Sequence, residues 1–183
     1  MHRSDDGILT THIGSLPRAD DVLPFLRKRD EGEDIDTAVF ERAAGKAIRD
    51  AVMRQAEVGL DVINDGEQSR TGFNQYVPDR LSGYGGEASP PPWTDLTDFP
   101  SFIRRVFDSS DTLDLGTVRA ATSPVAYEDA SRIRWELAEL QDALDETAVD
   151  PEGTFMTAAT PGVIATSPQR VLRRLRGVRF RVG

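Results

Sequence analysis

The spacing of apolar positions between residues 36 and 63 predicts a helix followed directly by a strand. Apolar side chains recur every three or four residues, the spacing of one helix face, at Val39, Phe40, Ala43, Ala44, Ala47, Ile48, Ala51 and Val52. Asp36 or Thr37 can cap the start of this helix, and Gly59 can end it in a left-handed turn. The largely apolar run at residues 60–63 then predicts a short buried strand, as in α/β proteins with a parallel sheet covered on both faces.

Weaker patterns predict further elements on either side of this unit. They are strands over residues 8–13, 117–127 and 155–159 and helices over residues 19–29 and 130–143. Between them, residues 71–112 contain the clusters Gly83-Tyr84-Gly85-Gly86 and Pro90-Pro91-Pro92-Trp93. Such clusters favour a long excursion over core elements, and a long loop in a compact domain is usually functional, for example at the mouth of a binding site.

Three predicted strands run into small or polar residues, namely Ile13-Gly14-Ser15, Asp65-Gly66-Glu67 and Thr160-Pro161-Gly162. Ligands of parallel α/β proteins bind at the carboxyl ends of strands, where the loops converge. A Glu there can bind an ammonium group or act as a base, and a neighbouring Gly lets the ligand approach the backbone. Structural roles remain open at each position, since Asp65 fits a turn, Ser15 a turn hydrogen bond and His12 a packed strand residue.

Composition narrows the class of protein. The 183 residues suit one ordinary domain, and 38% hydrophobic with 29% charged residues is typical of a globular protein. No apolar run approaches the roughly 20 residues that span a bilayer, and the N-terminus lacks the pattern of a secretory signal. The absence of cysteine from the sequence excludes disulfides and thiolate metal sites within the chain. We therefore expect a cytoplasmic protein.

Charge is divided unevenly along the chain. Residues 1–165 contain all 31 acidic side chains and 16 of the 22 basic ones, whereas residues 166–183 contain six Arg and no acid. The acidic part should repel nucleic acid, so only the tail could attract it. The sequence therefore divides into an acidic body, residues 1–165, and a basic Arg-rich tail, residues 166–183. We hypothesise that the reading frame shifts near Ala165, and the alternative is a genuine basic tail that contacts RNA or an acidic surface.

Three motifs in order, ILTTHIGSLPR, GLDVINDGEQSR and MTAATPGVIA, resemble the catalytic domain of cobalamin-independent methionine synthase, and more closely its shorter single-domain relatives. The resemblance covers about residues 7–165. It implies a (β/α)8 TIM barrel, of which this α/β chain would hold an incomplete, N-terminal portion, because a barrel typically needs about 250 residues. It also implies transfer of a methyl group from a methylated folate to homocysteine or another thiol.

The resemblance further implies roles for individual residues. Ile13 and Ser15 would bind the carboxylate end of the amino-acid substrate, and Glu67 would bind its ammonium group, a charge-assisted contact of high specificity. Supporting positions are their neighbours His12, Gly14, Asp65 and Gly66. His12 stands where the large synthases have Thr, as in many shorter relatives, so the resemblance leaves the thiol substrate open.

A zinc ion is the cofactor that the resemblance implies. In the family it is held by a His, two Cys and usually a Glu from the later half of the barrel, and it lowers the pKa of the thiol. This sequence has no Cys and no His after His12. We therefore expect a truncated chain that lacks the zinc site and is inactive alone.

Two other functions remain open. One is a non-catalytic half-barrel that binds an amino acid, alone or with a separate second half. The other is a fragment of a uroporphyrinogen-decarboxylase-type barrel, which needs no metal, although the Arg-rich cleft of that type is not evident in residues 1–165.

Sequencing of the gene tests the frameshift hypothesis. We expect a one-base correction near codon 165 to open a frame that encodes the missing His and Cys residues. A verified stop after codon 183, with no such continuation downstream, would contradict the hypothesis.

Overall fold

The computed structural model describes residues 7–72, 76–88, 98–107, 118–127 and 129–165. These residues form two compact units. The first contains the described residues up to Tyr76 together with residues 130–159, and the second contains those from Val77 to Asp129 together with residues 160–165. Within the described ranges, no helix has the length and apolar character needed to cross a membrane.

Helices and short strands are mixed along the described part of the chain, as in an α/β protein. In chain order the elements are α1 (Leu23–Asp30), α2 (Thr37–Glu57), β1 (Val62–Ile63), a 3-10 turn (Val77–Asp79), β2 (Tyr84–Ala88), α3 (Pro100–Phe107), β3 (Val118–Ala121), α4 (Ser131–Thr147), β4 (Gly153–Thr154) and α5 (Pro161–Ala165).

Helix α2 confirms the prediction made from the apolar spacing. The Asp36 side chain accepts a hydrogen bond from the Val39 amide at 3.0 Å and so caps the first turn. After the last turn, Gly59 takes the left-handed conformation, with φ +79°. The predicted apolar positions are buried at Phe40, Ala44, Ala47, Ile48, Ala51 and Val52, whereas Val39 is partly exposed.

The two buried faces of α2 organise the core of the first unit. Toward α1, one cluster contains Val22, Leu26, Phe40, Ala44 and Ala47. Toward β1 and α4, a second cluster contains Ile48, Val52, Ile63, Leu140 and Ala143. Full burial of each large aliphatic side chain contributes about 1.5–3 kcal/mol, so α2 holds β1 and α4 in place from one side.

A parallel strand pair lies at the centre of the first unit. Val62 of β1 is opposite Gly153 of β4, and Ile63 is opposite Thr154. The Phe155 amide continues this ladder by donating to the Ile63 carbonyl at 3.2 Å. The pair is parallel, as predicted, but the predicted strand at residues 155–159 is wrong, because β4 consists of the two residues just before it. The described residues form only two-stranded sheets and no complete barrel.

The predicted strand at residues 8–13 is wrong, because this segment hydrogen-bonds to residues 61 and 62 without forming a regular ladder. The Thr10 carbonyl accepts from the amides of Asp61 and Val62 at 3.2 and 3.0 Å. The Thr10 amide donates to the Asp61 carboxylate at 2.6 Å instead of to a main-chain carbonyl. A side chain thus takes the place of a ladder partner.

The predicted excursion at residues 71–112 is partly wrong. Its cluster Gly83-Tyr84-Gly85-Gly86 contributes to β2, which pairs antiparallel with β3 in the second unit. Gly83 has φ +86°, and a Cβ there would collide with the Pro124 carbonyl, so the close approach of the two segments requires glycine. The cluster at residues 90–93 lies outside the described residues.

The Asp61 carboxylate generates a test of the contact between residues 8–13 and β1. Donation by the Thr10 hydroxyl at 2.7 Å and by the Thr10 amide lowers the pKa of Asp61 below its ordinary value of 3.8. A carboxyl group whose pKa is lower in the folded protein than in the unfolded chain stabilises the fold at any pH above its pKa in the unfolded chain. This stabilisation is lost as the pH falls through its pKa in the folded protein.

We expect the carboxyl carbon of Asp61 to titrate below pH 3.8 in an NMR experiment, and Thr10→Val to raise its midpoint. Thr11→Val is the matched control, because the Thr11 hydroxyl donates to the Val62 carbonyl at 2.8 Å rather than to Asp61. A midpoint that responds equally to both substitutions would contradict this account.

Candidate functional site

Two loops of the first unit meet at the carboxyl end of β1. The 12–18 loop is joined to the 64–70 loop by the Leu16 amide, which donates to the Gly66 carbonyl at 3.1 Å. Residues 63–70 are all buried although six of them are polar or charged, namely Asn64, Asp65, Glu67, Gln68, Ser69 and Arg70. Burial of such groups is tolerated only where hydrogen bonds replace water, so this loop has to adopt one specific arrangement.

Glu67 is the carboxylate at the centre of this arrangement. Its side chain is 2% exposed. The Thr157 hydroxyl donates to Oε1 at 2.6 Å, and Nη2 of Arg18 donates to Oε2 at 3.3 Å. Its backbone has φ +55°, a left-handed conformation that costs a residue with a side chain about 1–2 kcal/mol. Strain of this kind persists where the surroundings over-determine the conformation, which is common at functional sites.

Asp65 orders the turn that carries Glu67. Its Oδ1 accepts from the Glu67 amide at 3.1 Å, the contact expected of an Asp-Gly turn. The Arg70 guanidinium donates to both carboxylate oxygens of Asp65, at 3.3 and 3.1 Å. Burial raises the pKa of Asp65, and the positive charge of Arg70 opposes that rise.

Gly14 brings the backbone of the 12–18 loop against Glu67. With φ +131°, a Cβ at this position would lie well inside van der Waals contact with Cγ2 of Thr157 and 3.4 Å from Oε1 of Glu67. The backbone therefore approaches the carboxylate as closely as it does only because residue 14 has no side chain.

His12 holds the Gly14 backbone in place. Its Nδ1 accepts from the Gly14 amide at 3.1 Å, and its Nε2 lies 2.9 Å from Oε1 of Gln55 on α2. The Gly14 amide is the donor in the first contact, whereas the donor and acceptor roles at Nε2 depend on the tautomer of the ring. Nδ2 of Asn64 lies 3.1 Å from the same Nε2. His12 is thus a hydrogen-bonded positioning residue in the described structure.

Ser15 and Ile13 lie at the solvent side of the loop. The Ser15 hydroxyl is exposed and accepts from Nη1 of Arg18 at 3.0 Å. The Ile13 side chain is 92% exposed, so the structure does not pack it against Glu67, and its predicted role stays a prediction.

The third predicted strand end belongs to the second unit, where the Thr160 hydroxyl accepts from the Val163 amide at 3.3 Å at the start of α5.

We define the Glu67 site as Gly14, Ser15, Arg18, Glu67 and Thr157. Three of these five residues were expected from the sequence, and Arg18 and Thr157 were not. Arg18 lies three residues after Ser15 in the same motif, and Thr157 lies in the third motif, so both were within segments of interest. Their contacts with Glu67 span 49 and 90 residues of sequence, a separation that local patterns do not encode.

The Glu67 site combines a buried carboxylate, a buried guanidinium and an exposed hydroxyl. Burial lowers the pKa of Arg18, and the nearby Glu67 carboxylate opposes that change, so the residue remains a cation. Arg70 and Asp65 lie beside Arg18 and Glu67, so the two loops together contain two cations and two carboxylates. This arrangement suits a ligand that carries one positive and one negative group.

The residues that the structure describes do not fit a zinc ion. Within the described ranges, no three His, Cys, Asp or Glu side chains converge on one point. Both ring nitrogens of His12 are engaged by Gly14 and Gln55, and the sequence contains no Cys.

The buried Glu67 carboxylate lies just beyond the carboxyl end of a parallel strand, the position at which α/β enzymes bind their ligands. Residues 8–89 match the model of the family described as Cobalamin-independent synthase, Catalytic domain. The resemblance to the cobalamin-independent methionine synthase family is therefore confirmed over this stretch of the chain. The third motif lies beyond the matched residues.

Relatives of known function agree with the family match. The chain is 37% identical over 75 residues to the 5-methyltetrahydropteroyltriglutamate–homocysteine methyltransferase of Mycolicibacterium paratuberculosis. Enzymes of the same name from Aeromonas salmonicida and Saccharomyces cerevisiae are 35% and 33% identical over 75 residues. Each match covers 41% of this chain, which spans only 10% of the length of each relative.

Substitution of Gly14 tests the close approach at the Glu67 site. We expect Gly14→Ala to destabilise the fold by about 1 kcal/mol for backbone strain and by about another 1–3 kcal/mol for the collision with Thr157. Gly59→Ala is the matched control, because Gly59 also has positive φ but no atom lies within 4 Å of the place that a Cβ would take there. Equal losses of unfolding free energy in urea for the two variants would contradict the packing described.

Proposed function

We propose that the Glu67 site binds the amino-acid substrate of a methyltransferase that methylates homocysteine from 5-methyltetrahydropteroyltriglutamate. Two findings support this proposal. Residues 8–89 match the family's catalytic domain, and the relatives carry this activity in their names. The observation that carries the proposal is the Glu67 carboxylate, which is buried, held in a left-handed conformation and approached by a glycine backbone.

The chemistry of homocysteine matches the groups of the Glu67 site. Its α-ammonium group would be bound by Glu67, whose oxygens keep acceptor capacity beyond the bonds from Arg18 and Thr157. Its carboxylate would be bound by the exposed Ser15 hydroxyl and the backbone beside Ile13. A charge-assisted contact at one end and a neutral donor at the other fix the direction of the bound amino acid.

Methyl transfer itself requires more than this site supplies. The new sulfur–carbon bond forms as the nitrogen–carbon bond of the methylated folate breaks, the thiol gives up its proton, and the departing folate nitrogen takes one up. The described residues would orient the amino acid, and they contain no cluster of metal-binding side chains that could activate its thiol. We therefore propose binding by this chain, with a (β/α)8 barrel as the setting of the reaction and the cytoplasm as its location.

Two alternatives make different predictions. A non-catalytic amino-acid-binding module is favoured by the contrast between a formed Glu67 site and the lack of metal-binding clusters in the described ranges. It predicts binding of homocysteine without any transfer, even when metal and methylated folate are added. The decarboxylase alternative has less support, because the matched family is the synthase.

Neutralisation of Glu67 tests the proposed binding role. We expect Glu67→Gln to weaken binding of L-homocysteine and L-methionine about 10- to 100-fold in calorimetry, since a hydrogen bond to a charged group contributes about 1.5–3 kcal/mol. The amide keeps the shape of the side chain and an acceptor for Thr157, so the loss reports the charge.

Glu136→Gln is the matched control for this experiment. Glu136 is also fully buried, accepts from the Ser69 hydroxyl at 2.7 Å and lies outside the Glu67 site. We expect it to leave both affinities unchanged. Undiminished binding by Glu67→Gln, or the same loss in both variants, would overturn the assigned role.

A further inference from the structure

Arg18 links the two ends of the Glu67 site, and the family resemblance assigns it no role. Its side chain is 7% exposed. Nη1 donates to the Ser15 hydroxyl at 3.0 Å, and Nη2 donates to Oε2 of Glu67 at 3.3 Å. One guanidinium therefore contacts both the group proposed to bind the substrate carboxylate and the group proposed to bind its ammonium.

The same guanidinium also fixes the loops that carry these groups. Nε donates to the Arg70 carbonyl at 2.7 Å. The two terminal nitrogens donate further to the carbonyls of Leu16, Gly66 and Thr71. Arg18 thus uses the planar, five-donor geometry that distinguishes arginine from lysine, whose ammonium has three donors on one atom.

At Ser15, Arg18 determines which way the hydroxyl proton points. A guanidinium has no acceptor, so the Ser15 oxygen must accept from Arg18. The Ser15 proton is then directed away from Arg18, and because Ser15 is exposed, it is available to a ligand. A ligand carboxylate is the acceptor that this donor would meet.

At Glu67, Arg18 changes which ligands are favourable. The positive charge next to Oε2 partly neutralises the carboxylate and weakens its attraction for the ammonium group of any ligand. A ligand with a carboxylate as well has a second, attractive contact with the Ser15 end. This second contact therefore decides between an amino acid and a simple amine, and Arg18 favours it by orienting the Ser15 hydroxyl.

We infer that Arg18 is a positioning and specificity residue that makes the Glu67 site prefer an α-amino acid over an amine that lacks the carboxylate. It acts through Ser15 and Glu67, so the inference rests on the proposed function of the site.

Calorimetry of the full chain with L-methionine and L-methioninol tests this inference. The two ligands differ in that a hydroxymethyl group replaces the carboxylate. We expect the parent to bind methionine about tenfold or more tightly than methioninol, and Arg18→Gln to reduce this ratio to about threefold or less. Ser15→Ala should reduce the ratio equally, and the double variant should reduce it no further, because Arg18 acts on the carboxylate through Ser15.

The ratio of affinities separates a role in specificity from one in folding, because general loosening of the loops lowers both affinities together. Arg29→Gln is the matched control, since Arg29 donates to the Ser69 carbonyl at 3.1 Å in the same unit and does not contact Ser15. It should keep the parent ratio. If Arg18→Gln does not fold, Arg18→Lys and the exposed Ser15→Ala provide the same comparison.

The outcomes distinguish the two claims. The inference would be overturned if Arg18→Gln or Arg18→Lys kept the ratio of affinities of the parent, or if the addition of Ser15→Ala lowered the ratio further. Either result would leave the proposed function intact. Unchanged binding of both ligands by Glu67→Gln would overturn the proposed function and the inference with it.

Discussion

The first unit depends on the satisfaction of buried charge in the 64–70 loop. Arg70 is 1% exposed, pairs with Asp65 at 3.1 Å and donates to the Thr157 carbonyl at 2.8 Å. Buried ion pairs of this kind contribute little net stability, because desolvation offsets the attraction, yet removal of one partner costs about 3–5 kcal/mol. The pair therefore restricts the loop to one conformation more than it stabilises the fold. That restriction holds Glu67 in its left-handed backbone conformation.

The apolar core supports this polar loop. Ile63, the last residue of β1, packs between α2 and α4, so the residues that follow it emerge at a fixed point. The first of these residues is Asn64, and the Gln55 side chain of α2 makes two hydrogen bonds with its backbone. It donates to the Asn64 carbonyl at 2.8 Å and accepts from the Asn64 amide at 3.0 Å. Because Gln55 also contacts His12, one side chain of α2 sets the position of both loops of the site.

Local features of the sequence predicted the parts of the molecule that local forces determine. The repeat of apolar positions in α2, the Asp36 cap and the left-handed Gly59 each follow from interactions within a few residues. The Asp-Gly turn before Glu67 is of the same kind.

Features that depend on distant partners were missed or predicted incorrectly. Residues 8–13 have strand-like composition, but the Asp61 side chain occupies the Thr10 amide. The Gly-rich cluster at residues 83–86 looked like a loop, and it forms a strand because β3 pairs with it. Arg18 appeared as an ordinary charged residue after a proline, and its burial results from the carbonyls and the carboxylate that surround it.

The contacts of Thr157 show why the matched stretch of sequence does not contain the whole Glu67 site. The family match ends at residue 89, yet the Thr157 hydroxyl donates to Glu67 and its carbonyl accepts from Arg70. Both groups reach the loop because β4 lies parallel to β1 and ends at the same edge. A segment ending at residue 89 would leave one Glu67 oxygen without this donor and Arg70 without this acceptor. Residues 130–159 are therefore part of the site in a physical sense, since they complete the hydrogen bonds that make a buried carboxylate tolerable.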